Sequence, residues 1–342
     1  MAERLAQLTS WVQAHWSDTG SANAAPNELE VVSGDASFRR YFRAQAGNDR
    51  FIAVDAPPDK ENSAPFVAIG QRWYKAGVRV PKIIRADLEL GFMLLEDFGD
   101  ALLLPKLELN ASGNPYAQAL QTLIGLQQVD DQQLPPYSDE VLKREMGLFD
   151  EWFLGRCLGL DVEDWSTLLQ SLYQHLSERA QAQLQVPVHR DYHSRNLMPL
   201  ASGELGVIDY QDALLGPITY DLVSLLRDSY IEWPDKQVEE WVEEYRQQLE
   251  VAGFAVPQSS VFIKDFYLMG MQRQLKVVGI FCRLWLRDGK PGYLKDIPRT
   301  FGYLRRAAAR YPEFAQFRTA LDALLPVLAI HPLLGPYFEG KL

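Results

Sequence analysis

The 342-residue chain is poor in cysteine. Cys157 and Cys282 are too few for a disulfide framework and are not spaced as metal ligands, which points to free thiols in a reducing compartment. Long apolar runs are also missing: the longest, residues 323–330, is interrupted by Pro326, whereas a membrane-spanning helix needs roughly 20 residues. Positive charge is in deficit, with 34 Lys and Arg against 45 Asp and Glu, a net charge of −11. Such a chain has no general electrostatic footprint for a phosphate backbone, so nucleic acid is not an expected partner. After Met1 the polar residues Glu3, Arg4, Gln7 and Gln13 break up any apolar run of the secretory-leader kind. A cytoplasmic location and no membrane partner are the expectations, and nothing in the pattern fixes an oligomeric state.

What is present suits a globular fold: 47% hydrophobic residues, with Gly and Pro dispersed rather than clustered. Leu5, Leu8, Val12 and Trp16 recur at the spacing of an amphipathic helix. Between residues 30 and 55, Phe38, Phe42 and Ala44 alternate with Arg39, Tyr41 and Arg43, and Phe51 to Val54 form an apolar run, which reads as three short strands. A helix over 65–76 carries Phe66, Ile69 and Trp73 on one face and stops at Gly77. Two further apolar runs lie within 81–96, after which helical spacing dominates, apart from a brief strand-like stretch at 204–210. The pattern predicts an α+β chain with a β-rich lobe over 1–100 and a helical lobe over 101–342.

The strongest chemical signal is His189-Arg190-Asp191-Tyr192-His193-Ser194-Arg195-Asn196, which fits H-R-D-x-x-x-x-N at all four defined positions. The physical logic of that spacing is phosphoryl transfer: the aspartate receives the proton of the acceptor hydroxyl, and the asparagine offers a neutral oxygen to magnesium. Asp191 is the candidate catalytic group. Thirteen residues beyond Asn196, the run Val207-Ile208-Asp209 delivers a second hard oxygen ligand at a strand end, so Asn196 and Asp209 are the candidate magnesium ligands. His189 and His193 stand four apart, but without a defined third ligand they do not make a zinc site. His189 is expected to be structural and His193 a substrate contact.

Upstream, Gly34-Asp35-Ala36-Ser37-Phe38-Arg39-Arg40-Tyr41 overlays a kinase glycine-rich loop whose second and third glycines are replaced. Ile52-Ala53-Val54-Asp55 occupies the place of V-A-I-K, with Asp55 where a phosphate-binding lysine would stand. No Glu lies in the 65–76 helix either, so lysine and partner are absent together. Strand parity puts Arg39 and Arg43 on the same side as Tyr41, and they are the expected substitutes for the missing charge. The candidate ATP contacts are therefore Gly34, Ala36, Ser37, Arg39, Tyr41 and Arg43.

These motifs resemble the aminoglycoside phosphotransferase-like branch of the protein-kinase fold over about residues 30–230. Also similar is Gly216-Pro217-x-x-x-Asp221-Leu222, where that branch places an Asp bracing the catalytic loop. The resemblance implies a two-lobed kinase fold, ATP and magnesium as cofactors, and Leu95 and Glu96 within the hinge that meets the adenine. Tyr210-Gln211 follow Asp209 in place of a D-F-G, and no A-P-E comes after, which favours a small-molecule acceptor over a protein. The runs Ser33 to Arg43, Val54 to Pro58, Leu95 to Asp100 and Gln272 to Phe281 further resemble the family of anomeric kinases of N-acetylmuramate and N-acetylglucosamine, which phosphorylate the sugar C1 hydroxyl in cell-wall recycling. That resemblance implies a small-molecule amino sugar as partner. Kinases of other hydroxyls, of aminoglycoside, choline or homoserine type, and a nucleotide-binding scaffold without turnover are the competing readings.

Within this acidic chain, residues 262–290 hold six Lys or Arg against Asp265 and Asp288. Arg273, Lys276, Arg283, Arg287 and Lys290 share one helical face. Most of that face reads as solvated, but Arg273 and Lys276 are candidates for the carboxylate that distinguishes muramate from glucosamine. Arg144, Glu145 and Asp212 complete the candidate substrate contacts, as polar groups suited to sugar hydroxyls.

Overall fold

A computed structural model describes residues 2–34, 38–109 and 114–340. They group into two compact units, both discontinuous in sequence: Met1–Lys106 with Arg195–Ala213, and Leu107–Ser194 with Leu214–Leu342. The first is β-rich and the second helical, so the α+β organisation expected from the patterning is present.

In the first unit, helix α1 (Ala2–Ala14) precedes five strands: β1 (Glu30–Gly34), β2 (Arg40–Ala46), β3 (Asp49–Asp55), β4 (Ile83–Asp87) and β5 (Phe92–Glu96). They form one antiparallel sheet in the order β1-β2-β3-β5-β4. Helix α2 (Ala64–Lys75) intervenes between β3 and β4 in the chain. Phe42, Ala44, Ala53, Phe92 and Leu94 project from one face of the sheet and pack against Leu8, Trp11, Val12 and Trp16. The period of two in the strands and the helical spacing in α1 thus meet in a single apolar layer. By the same parity Tyr41, Arg43, Ile52 and Val54 belong to the opposite face.

Helix α3 (Leu103–Leu109) carries the chain into the second unit. There, α4 (Ala117–Gln127), α5 (Asp139–Leu148) and α6 (Ser166–Gln181) lead to strand β6 (Gln185–Val188). Hairpin β7 (Leu197–Pro199) and β8 (Leu205–Val207) belongs to the first unit, and β9 (Leu214–Pro217) returns to the second to pair antiparallel with β6. Helices α7 (Tyr220–Leu226), α8 (Asp235–Val251), α9 (Ser259–Leu286) and α10 (Ile297–Arg310) follow, with short helices to the end.

The 28-residue α9 is the axis of this unit, packed by α5, α6, α7, α8 and α10. Gly279 permits its contact with α5: a Cβ there would lie 2.3 Å from the backbone of Leu148. Most of α9 is buried, and with it Asp265, Gln272, Gln274 and also Arg273 and Lys276, two members of the basic stripe that the sequence presents as mostly solvated. Beyond Leu148, α5 continues as a π-helical segment, Phe149–Cys157, rather than as an α-helix. Its change of pitch puts Phe149, Phe153 and Leu154 wholly in the core. Cys157 at its end and Cys282 on α9 are both free and buried.

Candidate active site

In the second unit the segment after β6 is held by carboxylates at both ends. Asp221, buried on α7, accepts the backbone N–H of His189 at 2.6 Å and of Arg190 at 3.0 Å. Burial pushes its carboxyl up to about 6 against the opposing pull of His189 and these donors. Seven residues beyond Asp221, Asp228 accepts the Ser194 N–H at 3.0 Å and its hydroxyl at 2.5 Å, while its other oxygen accepts the Tyr230 N–H at 2.9 Å. Between these clamps the Asp191 N–H donates to His189 Nδ1 at 3.2 Å, and the His193 N–H donates to the Asp191 carbonyl at 2.9 Å. The motif announces Asp221; nothing in it announces Asp228, whose only sequence signal is a carboxylate just beyond the apolar run from Leu222 to Leu226.

Arg190 has φ +76°, a left-handed backbone that costs an L residue about 1–2 kcal/mol. Besides the Asp221 bond to its N–H, its side chain tethers it. The guanidinium donates to the Glu145 carboxylate from α5 and lies 5.6 Å from the centre of the Tyr137 ring. Glu145 also accepts the Tyr137 hydroxyl and sits 3.2 Å from Lys276 Nζ, which in turn donates to the Tyr220 hydroxyl at 3.1 Å. Arg273, about one turn earlier on α9, is also buried, and its charge acts on the Asp191 carboxyl.

Four of the predicted residues, Glu145, Asp191, Arg273 and Lys276, are thus gathered with Arg190 around one loop. Burial pushes the Asp191 carboxyl up, but the combined charge of Lys276, His193, Arg273 and Arg190 outweighs it and holds the group down at about 2. Glu145, expected to meet sugar hydroxyls, is occupied as the internal counter-charge of Arg190 and Lys276. His193 is half-buried with its ring edge-on to Tyr230. Arg144 is exposed and stands apart from the cluster, because adjacent helical positions point about 100° apart. Asp212 is exposed and belongs to the other unit.

That other unit contains Asn196 and Asp209. The Asn196 amide approaches the Asp209 carboxylate at 3.4 Å, and the Asn196 carbonyl accepts the Ile208 N–H at 3.1 Å. Gln211 donates to the other Asp209 oxygen at 2.9 Å, and its own amide oxygen is buried with no hydrogen-bond partner among the described residues. Asp209 has φ +68°, and the residue after it anchors that conformation. Tyr210 is fully buried, stacked on Phe66 of α2 with ring centroids 4.8 Å apart and tilted against Trp73. Space for it exists only because position 70 is glycine: a Cβ there would lie 2.4 Å from the Tyr210 hydroxyl oxygen.

This contact yields a graded expectation. Gly70→Ala should displace Tyr210 and lower turnover at least tenfold. Because the buried Tyr210 hydroxyl has no hydrogen-bond partner among the described residues, Tyr210→Phe alone should raise stability by about 1 kcal/mol and should partly rescue Gly70→Ala. Thermal melts and steady-state rates of the three variants check this, and a double variant no better than Gly70→Ala would refute the steric account.

Of the nucleotide candidates, Ala36 and Ser37 lie outside the described residues, and Gly34 ends β1 opposite Arg40. Arg39 is buried, 5.7 Å from the centre of the Phe66 ring and 3.6 Å from Glu61, a carboxylate just before α2. Tyr41 pairs with Val54 across the strands. Arg43 is held by Asp97 at 2.7 Å and Asp100 at 2.9 Å, which keep its guanidinium charged and partly neutralise it. Leu95 is buried in β5; the Glu96 N–H donates to the Lys82 carbonyl at 2.9 Å, and its carboxylate takes Arg79.

Asp55 requires a correction. It shares the parity of Ala53 and points to the α1 face of the sheet, where it is fully buried and bound by Arg4 at 2.5 Å and by Arg40. The carboxylate is a structural anchor for α1 and does not stand where a phosphate-binding side chain would.

The sequence matches the phosphotransferase enzyme family over residues 28–258. It is 43% identical over 320 residues to an N-acetylmuramate/N-acetylglucosamine kinase of Pseudomonas putida, covering 92% of this chain and 94% of that one. A protein of the same name from Neisseria meningitidis is 40% identical over 336 residues, covering 94% and 96%. Among solved structures, a choline kinase of Streptococcus pneumoniae is similar with TM-score 0.60 at 12% identity, covering 87% of this chain and 98% of that one. An ADP-bound aminoglycoside phosphotransferase is similar with TM-score 0.58 at 13% identity, covering 86% and 96%. At such identities these two likenesses concern the fold alone, and the fold is the two-lobed, protein-kinase-like one.

Proposed function

Because the chain belongs to the phosphotransferase enzyme family, we propose that it is an ATP-dependent kinase of the anomeric C1 hydroxyl of N-acetylmuramic acid and N-acetylglucosamine. Its setting would be peptidoglycan recycling in the cytoplasm. The observation that carries the sugar assignment is identity of 40% to 43% with kinases named for these two sugars, over more than nine-tenths of the chain. In this reading the lobe over 1–100 takes the nucleotide and the lobe over 101–342 takes the acceptor.

Asp191 accepts the hydrogen bond of the acceptor hydroxyl and receives its proton as the oxygen–phosphorus bond forms and the bond to the leaving ADP breaks. A carboxyl held near 2 is a weak base, so it orients the hydroxyl and takes the proton late, in keeping with a loose phosphoryl-transfer transition state. Such a base suits the anomeric hydroxyl, the most acidic hydroxyl of a sugar, because the ring oxygen stabilises the developing alkoxide.

Asn196, Asp209 and the Gln211 amide oxygen, which has no hydrogen-bond partner among the described residues, are hard oxygen donors of the kind magnesium takes. Magnesium bound by Asn196 and Asp209 would offset the phosphate charge. Arg39 with Glu61 supplies an ion pair in place of the absent lysine and its glutamate partner, and is the better placed of the two arginines because Arg43 already has two carboxylates. The cations around Asp191 weigh against cationic acceptors such as choline.

The test is a panel of amino sugars incubated with ATP and magnesium and read by phosphorus NMR. A sugar 1-phosphate forming together with ADP is expected. A 6-phosphate, or ATP binding with no sugar-dependent turnover, would overturn the reading.

A further inference from the structure

The charges gathered on α5, α9 and the catalytic loop leave one cation over. Glu145 faces both Arg190 and Lys276, and Lys276 is further satisfied by Tyr220. Arg273 is 4% exposed, and its Nε and Nη1 are buried with no hydrogen-bond acceptor among the described residues. No carboxylate of the described residues forms an ion pair with it. Removing a guanidinium from water without a counter-charge is costly. Three residues apart on α9, Arg273 and Lys276 share a face, and Lys276 is joined through Glu145 to the residue preceding Asp191. The unsatisfied group therefore lies on the acceptor side of the helical unit, and the charge it contributes is felt at the Asp191 carboxyl.

We propose that Arg273 is the specificity-determining residue for a carboxylate on the acceptor sugar, the lactyl carboxylate that N-acetylmuramic acid has and N-acetylglucosamine lacks. Its planar fork of N–H donors matches a carboxylate edge, and the pair would form away from bulk water, where a charge-assisted hydrogen bond is strongest. Lys276 is not its equal in this role, because its ammonium already has Glu145 and Tyr220. The proposal rests on the sugar-kinase reading above and deepens it: the acidic sugar should be the favoured one, since the neutral sugar leaves the buried guanidinium unpaired.

The experiment compares N-acetylmuramic acid, its methyl ester and N-acetylglucosamine as acceptors for the unaltered protein and for Arg273→Gln and Arg273→Lys. For the unaltered protein the ester should behave like N-acetylglucosamine. In Arg273→Gln the ratio of kcat/KM for the acid to that for N-acetylglucosamine should fall about 10- to 100-fold, the worth of a charge-assisted pair, and acid and ester should become alike. Arg273→Lys should keep part of the ratio.

Equal losses for both sugars, especially with a raised KM for ATP, would assign Arg273 to the transferring phosphoryl group instead. An unaltered protein that uses acid and ester equally would also end the proposal, whether or not the variants fold. Phosphorylation of neither sugar by the unaltered protein is a different failure, that of the function itself.

Discussion

Asp191→Asn is expected to lower kcat by about 100- to 10,000-fold while leaving the ATP titration curve in place, the range of a positioned proton acceptor. The substitution is isosteric, and the loop is held by backbone amides on Asp221 and Asp228, so its shape should survive. A variant that keeps more than a tenth of the activity would remove Asp191 from the chemistry.

The same residue fixes the acid side of the pH profile. With the carboxyl held at about 2, the ionised form persists well below the ordinary aspartate value near 3.9. The rate should therefore stay flat down to about pH 4. Neutralising Arg273 lifts the carboxyl, so Arg273→Gln should move the acid limb upward in pH; a limb that moves down, or stays, contradicts the assigned field. For stability the sign is the same: a depressed folded value contributes stability above about pH 4 that is lost as pH falls toward 2.

Glu145→Ala should cost about 3–5 kcal/mol of unfolding free energy, the penalty for stripping one partner from a buried ion pair. Arg190 and Lys276 both lose their counter-charge, and the left-handed backbone of Arg190 loses its tether. Urea unfolding measures the loss, and a cost below about 1 kcal/mol would place the pair among weak surface contacts. Pairing Glu145→Gln with Lys276→Met should recover part of the loss, because the charge is then removed from both sides. Activity should fall with stability here, since Arg190 immediately precedes Asp191.

How much of this can be read along the chain depends on sequence distance. The candidate loop is legible because Asp191 and Asn196 lie in one continuous motif, and the sheet is legible because alternation along β2 and β3 reports directly which side is buried. Asp228, by contrast, reaches Ser194 across 34 residues, and Glu145 reaches Arg190 across 45. Neither spacing has a local signature. The π-helical turn after Leu148 is invisible for a related reason: its residues suit an α-helix equally well, and packing against α9 decides.

Arg273 and Lys276 are picked out by a basic excess within an acidic chain, which correctly flags them as unusual but cannot tell a solvated stripe from a buried one. Asp55 shows the opposite limit. Aligning a motif gives a residue its place in the chain, whereas strand parity gives its direction, and here the two disagree.

The two cysteines offer a practical handle. Both thiols are enclosed in the helical unit, one on the π-helical segment and one on α9, and the β-rich unit has none. A thiol-reactive dye should therefore be excluded from the native protein and react only when the helical unit opens. Its labelling rate would time the opening of one unit by itself, with no engineered probe.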